Sequence, residues 1–180
     1  MQARAPLMIE HRLIEQMLNA IQHKLEHVEQ TRSIDPCFVD TAVDFIRVYA
    51  DRTHHGKEED IMFSELRGKH LSNEDRHLMN ELIEDHIFSR KTTKDLVEAN
   101  MRYREGDQAA LGEITNHLKS LVDFYPKHIK KEDDVFFPAA RSYFTEEEDK
   151  AMLAEFREFD RKMIHEKYKA VVKEFETIIG

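Results

Sequence analysis

The chain is poor in the residues that build turns and sheets, with five glycines, four prolines and no tryptophan in 180 positions. So few breakers between long stretches of helix formers exclude a turn-rich β fold and predict an all-α protein. A single cysteine, Cys37, excludes an intramolecular disulfide and fits a reducing compartment. No run of 18 apolar residues is present to insert into a membrane, and no leader-like segment precedes Met8 and Ile9, so the expected location is cytoplasmic. Basic residues number 27 against 36 acids, for a net charge of −9, and they are scattered among the acids. That pattern argues against nucleic acid as a partner and assigns the acidic surface mainly to solubility. Linkers and low-complexity segments are also missing, so residues 1–180 are expected to form one domain.

The breakers that do occur divide the chain into five predicted helices. Pro6 suits the first turn of a segment reaching about Gln30. Ser33-Ile34-Asp35-Pro36 then reads as a loop ending in an Asp cap and a Pro at the first helical position, opening a second helix that Gly68 stops near Arg67. Ser72-Asn73-Glu74-Asp75 resembles a capping box with Asp in the Glu place, and starts a third helix reaching about Arg104. Asp107 is the expected cap of the fourth, which contains Pro126 and is expected to kink there before closing at Phe137-Pro138. Thr145-Glu146-Glu147-Glu148 is a capping box for a fifth helix ending near Ile178.

A ten-residue pattern is stated twice on this map. His54-His55-Gly56-Lys57-Glu58-Glu59-Asp60-Ile61-Met62-Phe63 and His128-Ile129-Lys130-Lys131-Glu132-Asp133-Asp134-Val135-Phe136-Phe137 lie 74 positions apart. A weaker echo, Ile9-Glu10-His11 and Glu84-Asp85-His86, recurs at an offset of 75. Spacing alone is weak evidence, because six of the 11 histidines have an acid four residues on where about two are expected by chance. His11/Glu15, His55/Glu59, His70/Glu74 and His77/Glu81 are read as solvated neighbours, and the repeat favours His54/Glu58 over the adjacent His55/Glu59. Lys57 and Lys131 likewise read as solvated partners of nearby acids. Glu10 and Asp85 could orient imidazoles, though not those of their own chain neighbours, which point about 100° away.

The candidate ligand set is therefore His11, His54, Glu58, His86, His128 and Glu132, contributed by four helices. A histidine and a carboxylate four residues apart project from one face, so each repeat can offer a nitrogen to one ion and a bridging oxygen to a pair. A nitrogen and oxygen shell without thiolate suits iron or manganese and leaves zinc possible.

These blocks resemble the hemerythrin family in its HHE cation-binding branch, over roughly residues 7–137. The resemblance implies a four-helix up-down bundle, about 7–137, with an additional C-terminal helix, about 146–178. It also implies two non-heme iron ions, oxo- or hydroxo-bridged, held by the six residues with Glu58 and Glu132 bridging. In the oxygen-carrying members dioxygen binds at an open iron position, and Met62, Phe63, Phe136 and Phe137 could wall such a pocket. The carriers bear His-x-x-x-His on their third helix, whereas here Leu82 precedes His86 by four and Arg90 follows it by four. Glu15, His23, His27 and His165 are the candidates to fill the missing position, with water as the alternative. His165 stands foremost because its helix lies outside the four-helix motif.

No nucleophile constellation is visible beyond this set, so a metal- and oxygen-binding protein is expected in preference to an enzyme. Its partner would be dioxygen, for storage, delivery or sensing. The alternative is a stress protein that meets nitric oxide or peroxide, or supplies iron for repair of iron centres, as in relatives with an extra cysteine-bearing segment; the lone Cys37 weakens that idea. The repeat itself makes a test: His54→Ala or His128→Ala should sharply reduce bound metal measured by elemental analysis, while His77→Ala leaves it unchanged, and equal loss in all three would remove the assignment.

Overall fold

In the computed structural model, backbone is described for residues 2–179 and side chains through 165 and at 167 and 169. The described residues are helical, with no strand, in five segments. They are α1 (Arg4–Thr31), α2 (36–67), α3 (Asn73–Arg104), α4 (110–140) and α5 (Glu146–Ile179).

The caps follow the local chemistry closely. Asp35 accepts from the Cys37 amide at 2.9 Å with Pro36 at the first helical position of α2. Thr145 and Glu148 form a reciprocal box at the start of α5, each side chain taking the other's amide at 2.9 and 3.2 Å. Ser72 caps α3 by accepting from the Asp75 amide at 3.0 Å, but the return half of that box runs through Tyr143. Its hydroxyl accepts from the Ser72 amide at 3.1 Å and donates to Asp75. Asp107 forms a turn with the Ala109 amide at 3.0 Å, two residues ahead of the cap position, which Ala109 occupies. The α4 helix passes through Pro126 without a break.

Three stretches, in two of these helices, are not ordinary α-helix. Within α2, Phe45–His55 and Glu58–Met62 wind as π-helix, and so does Glu132–Phe136 within α4. A π turn closes its hydrogen bond at i+5, so it advances by about 85° per residue where an α turn advances by about 100°. Both repeated blocks lie on or beside this wider winding, a feature concentrated at functional sites.

Apolar packing reveals the topology. One core cluster includes Ile14, Leu18 and Leu25 of α1, Val39 and Ile46 of α2, Leu96 of α3, and Leu118 and Ile129 of α4. The other includes Leu7 of α1, Met62 and Phe63 of α2, Met79 and Leu82 of α3, Phe136 and Phe137 of α4, and Met152 and Phe156 of α5. Along α1 the chain passes from the second cluster to the first, along α2 back again, and so on through α4, which is the signature of an up-down bundle. In every one of the four helices, the candidate ligands fall where the chain passes from one cluster to the other. Burial of each large side chain contributes about 1.5–3 kcal/mol, so two apolar blocks clamp one polar layer.

The fifth helix is tied to the bundle between Asp149 and Lys167. The Asp149 carboxylate accepts from the Gln2 and Ala3 amides, with Ala3 at 3.1 Å, and so caps the otherwise uncapped start of α1. Phe159 lies so close to Gly56 that a Cβ built there would be 2.8 Å from its ring. Lys167 donates to Asp44 at 2.7 Å. The contact at Gly56 leads to an expected outcome: Gly56→Leu displaces Phe159 and lowers unfolding stability in urea by about 1–3 kcal/mol. Gly112→Leu, on the same kind of helical backbone with nothing within 4 Å of its Cβ, leaves the midpoint nearly unchanged.

Candidate metal centre

The side chains of His11, His54, Glu58, His86, His128 and Glu132 converge in the layer between the two apolar clusters, each at most 2 % exposed. His11, His54, Glu58 and Glu132 offer ligand atoms that lie within 4.8 Å of one another. His86 and His128 form a second group of the same tightness with a residue read from the sequence as solvated, His55. The two groups share their carboxylates. Glu58 turns Oε1 toward His54 Nε2 (3.7 Å) and Oε2 toward His86 Nε2 (3.5 Å). Glu132 turns Oε2 toward His11 Nε2 (3.1 Å) and Oε1 toward the Nε2 atoms of His128 and His86 (3.3 and 3.7 Å).

The outer nitrogens of the rings are held by carboxylates on other helices. Nδ1 of His11 donates to Asp133 at 2.8 Å, that of His54 to Glu10 at 2.9 Å, that of His86 to Glu59 at 2.7 Å and that of His128 to Asp85 at 3.1 Å. An ionised carboxylate only accepts, so each bond puts the proton on Nδ1 and aims an Nε2 lone pair inward. Glu10 and Asp85 thus orient histidines, each on the helix that follows its own. Every carboxylate is in turn paired with a cation: Asp133 with Arg12, Glu10 with Lys57, Glu59 with Arg90, and Asp85 with Lys131. Against the upward push of burial, the bonds to His54 and His128, with the lysines behind them, hold the Glu10 and Asp85 carboxyls low, and Glu59 falls to about 2 beside His86 and Arg90.

Inside this ring the lone pairs face one another. The four oxygens of Glu58 and Glu132, and Nε2 of His86 and His128, are buried without a hydrogen-bond partner. Leaving one such group unsatisfied costs about 1–3 kcal/mol, and more when it is charged. Burial and the nearby Glu132 push the Glu58 carboxyl far up, whereas the imidazoles of His128, His11 and His86 overcome burial and hold Glu132 far down. His11 and His54 bring their Nε2 atoms to 2.9 Å. Burial disfavours charge on both, yet the bond to Asp133 and the nearby Glu132 carboxylate raise His11 to about 9, while His54 falls to about 4. Without another cation, protons must sit between these atoms. A divalent ion satisfies the same lone pairs and displaces those protons, so the donor chemistry fits a metal.

Ring faces of the histidines are covered by apolar groups. Phe137 stacks on His11 at 5.9 Å, Phe63 on His86 at 6.1 Å and Phe124 on His128 at 5.3 Å between ring centres. Met62, Phe63, Phe136 and Phe137 are buried as walls of the layer.

Several sequence readings are corrected here. His55 is fully buried, and Glu59 serves His86 where the sequence suggested a solvated partner of His55. The repeat carried an unread signal, since the residue equivalent to His55 in the second copy is the apolar Ile129, which packs in the core. His165 and His23 are exposed, His27 is exposed, and Glu15 pairs with Arg12 at 2.9 Å, so none of these four enters either group. Leu82 fills the apolar core, and Arg90 reaches the outer carboxylates Glu59 and Asp51. His77/Glu81 is an exposed pair at 3.3 Å, as expected.

Lys57 is the sharpest departure, because it is fully buried. Its ammonium bonds Glu10 and, at 2.6 Å, Asp160 of α5, under the ring of Phe156. Removing the cation would strand Glu10 and Asp160 together, at a cost of about 3–5 kcal/mol. Lys57→Ala is therefore expected to lower stability by that order in denaturant titration, whereas Lys131→Ala, at a side chain 30 % exposed, costs far less.

Residues 4–140 match the family model described as the hemerythrin HHE cation binding domain. No curated protein and no solved structure gives a significant match to the chain.

Proposed function

Because the chain belongs to the hemerythrin HHE cation-binding family, we propose that it is a non-heme di-iron protein that binds dioxygen, for storage, delivery or sensing. The observation that carries the two-ion reading is the division of labour in the carboxylates: each of Glu58 and Glu132 turns one oxygen toward one histidine group and one toward the other. His11 and His54 would hold one ion, His86 and His128 the other, and both glutamates would bridge. A nitrogen and oxygen set with no thiolate suits iron or manganese, and iron is the member of that pair with the redox chemistry for dioxygen. When bound, the ferrous pair supplies two electrons and an open coordination position for a small ligand.

The chain's own residues define what that ligand can be. Phe63, Phe124 and Phe137 cover imidazoles, and the candidate ligating side chains are shut off from solvent. Such a layer excludes bulk water and large substrates while admitting a diatomic molecule through side-chain motion. The four outer carboxylates, each paired with a cation, fix ring orientation and keep the Nδ1 protons in place, so binding of a small ligand need not rearrange the shell. Among the described residues no helix is long and apolar enough to cross a membrane.

The test is anaerobic reconstitution with ferrous iron, followed by metal quantitation and optical spectra before and after oxygen. Two irons per chain and an oxygen-induced charge-transfer band that fades on deoxygenation are expected. Two irons that oxidise at once with no reversible band would replace this reading with chemistry on nitric oxide, peroxide or iron repair. Absence of stoichiometric iron would overturn the di-iron assignment.

A further inference from the structure

We infer that His55 is a seventh metal-binding residue, supplying from the second helix the imidazole that the third helix lacks. The inference rests on the two-ion reading above and assigns one residue outside its six ligands. His55 is fully buried, and neither of its ring nitrogens has a hydrogen-bond partner. A buried neutral imidazole ordinarily satisfies at least its N–H, so two orphan nitrogens in one ring need a reason. Its ring lies parallel to His86 at 3.8 Å and edge-on to His128 at 5.5 Å. One nitrogen from each of the three rings falls in a group within 4.8 Å. The opposite face of His55 is closed by Tyr125, parallel at 6.2 Å, whose hydroxyl is already engaged with Ser89 at 2.8 Å.

The local winding explains how neighbouring residues on one helix can serve different ions. In an α-helix His54 and His55 would diverge by about 100°, which places one of them away from the layer. His54 and His55 instead end a π-helical stretch, where adjacent side chains diverge less and the inward face is wider. His54 then joins the group with His11, and His55 the group with His86 and His128. The second repeat has Ile129 at this place, so the chain supplies the extra imidazole on one side only. Asp51, one turn before His55 on the same helix and paired with Arg90 at 2.7 Å, has an oxygen 3.4 Å from its Nδ1, too poorly placed for a hydrogen bond. The resulting ion sites are unequal: His11, His54 and the two glutamates on one side, and His55, His86, His128 and the two glutamates on the other.

The experiment is anaerobic ferrous titration of the full chain, with affinity read by competition against a chromophoric chelator and integrity read by circular dichroism. The wild type is expected to take two ions. His55→Ala is expected to keep one at wild-type affinity and to weaken the other by at least about tenfold, with millimolar imidazole restoring it. His55→Gln, which keeps polarity and bulk, serves should the alanine variant lose its helicity, and should show the same selective loss. A variant that folds and takes both ions with wild-type affinity overturns the role of His55 while leaving the two-ion reading intact. A wild-type chain that takes fewer than two ions overturns both.

Discussion

Two carboxylates and a set of imidazole lone pairs face one another in a layer sealed from water, and the rest of the structure is arranged around that arrangement. The oxygens of Glu58 and Glu132 have no hydrogen-bond donors of their own. Like-charged oxygens in a low-dielectric interior repel strongly, and burial alone already raises the Glu58 carboxyl. Only protons or cations relieve this, and the inward lone pairs of four imidazoles fix where a cation must go. The apolar clusters above and below the layer hold the helices in place by burial, so the polar layer does not have to stabilise the bundle itself.

Charge is arranged in shells around this centre. Inner carboxylates and imidazoles meet, the outer imidazole nitrogens meet carboxylates on neighbouring helices, and those carboxylates meet arginine or lysine. Each shell neutralises the one inside it, which allows so many ionisable groups to be buried together. The pattern alternates around the bundle: the acid before each candidate histidine of α1 and α3 serves the following helix, and the acid after each candidate glutamate serves another. The fifth helix enters this scheme through Asp160 and Lys57, joining a segment outside the four-helix motif to the outer shell of His54.

Much of the arrangement was legible in the chain. The repeat located His54, Glu58, His128 and Glu132, and its echo located His11 and His86, because residues four apart on a helix share a face whatever the partner helices do. Caps were legible for the same reason, being local. Lys57 was not, since a lysine between glycine and glutamate looks solvated until a separate helix brings Phe156 and Asp160 over it. His55 was misread because a period of about 100° per residue was assumed where the backbone winds as π-helix. The candidates offered from helices one and five for the missing third-helix imidazole are exposed or paired elsewhere.

Sequence by itself determined the helices, their order, the all-α class and the face of each helix that carries nitrogen and oxygen donors, since these depend on interactions spanning only a few residues. Tertiary structure alone decided which carboxylate orients which ring, which lysine is buried and that both adjacent histidines, His54 and His55, are buried in the layer. Those contacts join positions 27 to 122 residues apart, as in His86 with Glu59 and His11 with Asp133. Their geometry depends on the rotation of each helix about its own axis, which packing sets and local periodicity does not.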